Sequence, residues 1–111
     1  MPTEVRRLLF TPDEVCKAMT INILERHEED ENGTVVGMEI LNTDPVNVRG
    51  VIQMQSGRQV SKSYDAALLC SALIAWCMDQ KIPIARKAHK AARITRDKTI
   101  ALDLTVSAPP R

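Results

Sequence analysis

Hydrophobic and polar positions along this chain repeat with two periods, one near 3.6 residues and one of two. The helical period comes first, at Val15, Ala18, Met19 and Ile23, with Cys16 and Leu24 widening the stripe. Thr11 stands before it as an N-cap, Pro12 takes the first helical position, and Glu14 lies where a capping box needs a carboxylate. Phe10 and Val15 hold the two positions of a hydrophobic staple. Asp13 and Glu14 suit the positive end of the helix dipole. A helix is predicted from Pro12 to about His27. The four carboxylates of residues 28–31 oppose the dipole at its C-terminus, and Asn32-Gly33 signals a turn.

The period of two follows. From Thr34 to Leu41, Val36, Met38 and Ile40 are expected on a buried face, with Val35 and Glu39 on the other. Asp44-Pro45 makes a turn. From Val48 to Gln55, Val48, Ile52 and Met54 are expected inward. The two stretches predict an antiparallel hairpin with one solvated face, ended by Ser56-Gly57.

Tyr64 to Gln80 predicts a second helix, with Ser61 or Ser63 as its cap. Twelve of the thirteen residues from Ala66 to Met78 are apolar, so this helix needs cover on more than one side. Lys81-Ile82-Pro83-Ile84 ends it. Ala85 to Arg93 has good helix formers but few large apolar neighbours, which leaves helix, strand and loop open. Thr99 to Val106 alternates again, with Ile100, Leu102, Leu104 and Val106 inward and Ala101, Asp103 and Thr105 outward. If Arg93 to Thr95 pairs with it, Arg96-Asp97-Lys98 is the hairpin turn. Val5 to Phe10 is a short strand or an extended arm.

The expected order is α-β-β-α-β-β, with an N-terminal strand as an optional addition. It predicts a two-layer α+β fold, an antiparallel four-stranded sheet with two helices on one face. One domain over residues 1–106 and a frayed tail over 107–111 complete the expectation.

Composition changes this picture little, with 44% hydrophobic and 26% charged residues. Charge changes it more. The net charge of +1 hides a net −6 over residues 1–47 and a net +7 over residues 48–111. A chain polarised this way suits an anionic partner or head-to-tail self-pairing. Cys16, Cys70 and Cys77 are odd in number, form no C-x-x-C pair and sit in apolar helical patterns, which suits free thiols in a reducing compartment. Residues 1–10 carry too short an apolar run for a signal peptide, and the run at 66–78 is shorter than the ~20 residues of a membrane span. A soluble, cytoplasmic protein without membrane contact is expected.

The chemical inventory is thin. His27 and His89 have no motif around them, and the three cysteines sit where burial makes thiols inert. No ligand spacing suggests zinc, the 28–31 run lacks the ladder of a calcium loop, and the four glycines form no phosphate cradle. The expectation is a non-enzymatic binding module without metal or cofactor.

Two functional leads remain. Lys81, Arg86, Lys87, His89, Lys90, Arg93, Arg96 and Lys98 lie in one segment whose single acid is Asp97. Such a segment can contact successive phosphates of a nucleic acid, or another acidic partner, while reading little sequence. With only Phe10, Tyr64 and Trp76 aromatic, a face of stacked bases is excluded. The alternative is a homodimeric adaptor that buries a stripe of the second helix, Leu69, Leu73 and Trp76 with Gln80, against a second copy.

Overall fold

The structure is a computed structural model, and it describes residues 3–26 and 33–107. His27, the acidic run 28–31 and residues 108–111 lie outside the described residues. The order is β1 (Thr3–Phe10), α1 (Pro12–Arg26), β2 (Gly33–Thr43), β3 (Val46–Met54), β4 (Gln59–Asp65), α2 (Ala66–Asp79), β5 (His89–Ile94) and β6 (Ile100–Ser107).

The single four-stranded sheet is replaced by two three-stranded antiparallel sheets, ordered β1-β6-β5 and β2-β3-β4. Each expected hairpin is present, but each pairs its remaining open edge with a third strand rather than with the other hairpin. β1 pairs β6 without a register shift, from Thr3 opposite Ser107 to Phe10 opposite Ile100. β4 pairs β3 from Asn47 opposite Asp65 to Gln53 opposite Gln59. Strand pairing satisfies backbone groups that a two-stranded edge leaves open.

The start of α1 follows its sequence signals. Glu14 N–H donates to Thr11 Oγ1 at 3.2 Å, and Thr11 N–H donates to Glu14 Oε1 at 2.9 Å, a reciprocal capping box. Phe10 and Val15 are both buried. The inward stripe runs Val15, Ala18, Met19, Asn22, spaced so that one helix face enters the core. Thr20 ties α1 to β2 by accepting the Val35 N–H at 3.0 Å.

Burial in β2 differs from the expected alternation. Val35 is buried and Val36 is 55% exposed, because a bulge makes Val36 an extra residue between the Val35–Ile52 and Gly37–Val51 pairs. Beyond it, Met38 and Ile40 face inward opposite Gly50 and Val48. A second bulge at Leu41 leaves that side chain exposed. On β3, Val48, Ile52 and Met54 are buried as expected, and Val46 joins them.

α2 starts later than expected and from a different cap. The residues thought to cap or open it belong to β4, and Asp65 accepts the Leu68 N–H at 2.8 Å. It ends in a Schellman motif: Ile82 N–H donates to Cys77 O at 2.8 Å and Lys81 N–H to Met78 O at 3.1 Å. Lys81 therefore takes the left-handed position where glycine is usual, with φ 59°. Leu69, Leu73, Trp76 and Cys77 of α2 pack into one cluster with Phe10, Val15, Met19, Val48, Tyr64, Ile100 and Leu102. Phe10 and Trp76 meet edge to face, ring centres 5.7 Å apart. α2 also touches β5 of one sheet and β4 of the other, so it joins the two sheets.

Candidate anion-binding face

Residues paired directly across antiparallel strands share a face. The β1-β6-β5 sheet thus has an inward face built on Phe10, Leu8, Ile100, Leu102, Leu104 and Ala92. Its outward face has three rows: Val5, Thr105 and His89; Arg7, Asp103 and Ala91; Leu9, Ala101 and Arg93. Val5 and Leu9 are more than half exposed, while Ala101, expected outward, is on that face yet fully buried as a small side chain between Leu9 and Arg93.

Asp103 is the acid of this face, and it is held. Arg7 Nε donates to Oδ1 at 2.6 Å and Nη2 donates to Oδ2 at 2.9 Å. These hydrogen bonds keep the Asp103 carboxyl below its ordinary range, against an opposing effect of partial burial. Arg93, diagonal to Asp103, acts in the same direction through its charge.

The eight basic-segment residues divide into three sets. His89 and Arg93 point outward from β5, and Arg96 and Lys98 follow in the β5–β6 turn, all four exposed. In that turn Lys98 N–H donates to Thr95 O at 3.0 Å and Thr95 N–H to Thr99 O at 2.9 Å. The turn needs a left-handed residue, and Lys98 fills that place at φ 62°. Lys98 also lines a cleft of about 350 Å³ with Ile40, Leu41, Asn42 and Thr43 of the other sheet.

Arg86 and Lys87 are exposed in the loop before β5, at the other end of a six-residue strand about 20 Å long. Lys90 and Lys81 are apart from the outward row. Lys90 faces inward, half-buried, and its Nζ donates to the Ala88 and Arg86 carbonyls at 3.0 and 3.3 Å. It fastens the loop that leads into β5. Lys81 closes α2.

The stripe Leu69, Leu73 and Trp76 is not on the surface. Leu69 and Leu73 have no exposure and Trp76 has 9%, so the apolar side of α2 expected to meet a second copy is spent inside this chain. The exposed side of α2 carries Ala67, Ser71, Met78 and Asp79 instead.

Arg7 was not among the sequence candidates. Its signal was the alternation of Val5, Arg7 and Leu9, which matches that of Thr105, Asp103 and Ala101 once β1 is paired with β6. Burial pushes the Cys16, Cys70 and Cys77 thiols up; for Cys70 and Cys77 the nearby charges of Lys90 and Arg6 oppose it. Among the described residues, no group of three His, Cys, Asp or Glu is placed to hold a metal ion, and no helix is long and apolar enough to cross a membrane. Comparison of the chain with protein-family models, curated proteins and solved structures finds no match.

Proposed function

We propose that this chain is a non-enzymatic module that binds the phosphate backbone of a nucleic acid on the outward face of β1-β6-β5. The observation that carries the reading is His89 and Arg93 on the outward side of β5, with exposed Arg96 and Lys98 in the turn that follows, beside an aspartate already paired with Arg7. From His89 to Arg93 the strand covers about 13 Å. A nucleic-acid strand carries one phosphate per about 3.4 Å of helix axis, so this length meets about four.

Lys98 contributes its charge from a left-handed turn position, at a cost of about 1 kcal/mol relative to glycine. With Val5, Leu9 and Ala91 as the face's remaining contacts, no Phe, Tyr or Trp ring is offered to a base, so the expected mode is backbone contact with little sequence preference.

Titration of labelled DNA and RNA with the triple variant Arg93→Glu, Arg96→Glu, Lys98→Glu tests the reading. The control is Lys17→Glu on α1, where Lys17 pairs with Asp13 at 3.0 Å. Loss of binding in the triple variant alone supports the reading; equal binding by both variants contradicts it.

A further inference from the structure

We infer that β1 is a self-association edge, through which a second copy of this chain adds to the β1-β6-β5 sheet and makes one six-stranded antiparallel sheet. Four strands end the two sheets, and three of them are guarded or occupied. β2 is broken by bulges at Val36 and Leu41, which spoil the regular ladder a partner strand needs. β4 offers only polar outward side chains, Gln59, Ser61, Ser63 and Asp65, so a partner strand would bury no apolar pair there. β5 lies against α2 and touches β3. β1 runs eight residues with no bulge and no proline, and its outward side chains Val5 and Leu9 are 64% and 61% exposed.

What selects a second copy over another strand is charge. In an antiparallel pair related by a two-fold axis at Val5, Val5 meets Val5, Glu4 meets the second copy's Arg6, and Arg6 meets the second copy's Glu4. Glu4 and Arg6 are both exposed and point to the same face, so each symmetric contact joins opposite charges. Two other symmetric registers keep an apolar pair on this face: centred on Arg7, Val5 meets Leu9 but Arg7 stacks on Arg7, and centred on Leu9, Leu9 meets Leu9 but no opposite charges meet. Opposite charges directly across a ladder stabilise it and like charges destabilise it, so the strand's own sequence picks the first register. Arg6 Nη1 also donates to Pro83 O at 2.9 Å, beyond the end of α2. A two-fold axis normal to the sheet keeps both outward faces on one side, so the two β5 strands become its flanks.

Sedimentation of the full chain with charge-swap variants tests this inference independently of nucleic acid. The wild-type chain is expected to dimerise at about 0.1 mM. Glu4→Arg alone and Arg6→Glu alone each turn two attractive contacts into repulsive ones, and each is expected to weaken the dimer at least about tenfold. An equimolar mixture of these two variants restores both attractive contacts, as does the double variant Glu4→Arg, Arg6→Glu, and both are expected to dimerise like the wild type. Among the described residues the Glu4 side chain makes no hydrogen bond, so its variant separates lost association from lost folding, with circular dichroism as the check. A wild-type monomer at 0.1 mM, or a dimer unchanged in both single variants, overturns the inference.

Discussion

Arg7 and Asp103 stand directly opposite each other across β1 and β6, and the arginine donates to both carboxylate oxygens, at 2.6 and 2.9 Å. The pair sets the charge of the outward face, because it removes the acid that would otherwise repel a phosphate. Asp103→Asn leaves the Arg7 guanidinium available. Affinity for labelled nucleic acid is expected to rise, with the salt dependence steepened by about one counterion. Unchanged affinity would place the anion elsewhere.

The same pair predicts an acid signature. The Asp103 carboxyl titrates lower in the folded chain than the roughly 3.9 of an unfolded aspartate, chiefly through the Arg7 hydrogen bonds. Its contribution to stability is therefore present above that pH and is lost as pH falls through the folded value. Denaturant unfolding across the acid range is expected to show a shallower loss of stability for Asp103→Asn than for the wild type.

Lys98 poses a trade between fold and function. At φ 62° it holds a position glycine fills without strain, so Lys98→Gly is expected to stabilise the chain by about 1 kcal/mol, or about 5 °C in Tm. The same change removes a cation from the candidate face and is expected to weaken binding and lower the salt slope by about one. Calorimetry and titration on the same sample check both halves. A stabilised variant that binds as before would leave the lysine without the role given to it.

Which parts of this account were legible in the sequence follows from how local their signals are. The start of α1 was readable to the residue, because Thr11, Pro12, Glu14 and Val15 all act within one turn. β6 was readable because one of its faces meets the core and the other the outward side, so its side chains alternate. β4 was not, since Gln59 to Asp65 is an edge strand with polar side chains on its open face, and Ser63 resembles a helix cap as well as a strand residue. The bulge at Val36 was equally hidden: it depends on β3 opposite, not on β2. The basic segment was legible as composition, but only the pairing of β5 with β6 separates outward Arg93 from inward Lys90. The expected stripe on α2 failed because cover came from both sheets rather than one.

Burial of that stripe makes its own prediction. Leu73 has no exposure and belongs to the core cluster, so Leu73→Ala is expected to cost about 3 kcal/mol of unfolding free energy. The cost should be independent of protein concentration. A concentration-dependent effect would return Leu73 to an interface between copies.

Thiol chemistry offers a check on the non-enzymatic reading. Burial raises all three thiols, so thiol reagents at neutral pH are expected to react much more slowly with the folded chain than with the unfolded one. One fast-reacting cysteine in the folded state would point to a nucleophile.

The most direct test of the central claim is the salt dependence of nucleic-acid binding. Three cations at Arg93, Arg96 and Lys98 predict a slope of log K against log salt near −3 for duplex DNA, about a 50-fold loss between 50 and 200 mM. The triple glutamate variant should flatten that slope towards zero. A wild-type chain that binds no nucleic acid at low salt, or a variant that keeps the wild-type slope, contradicts the claim.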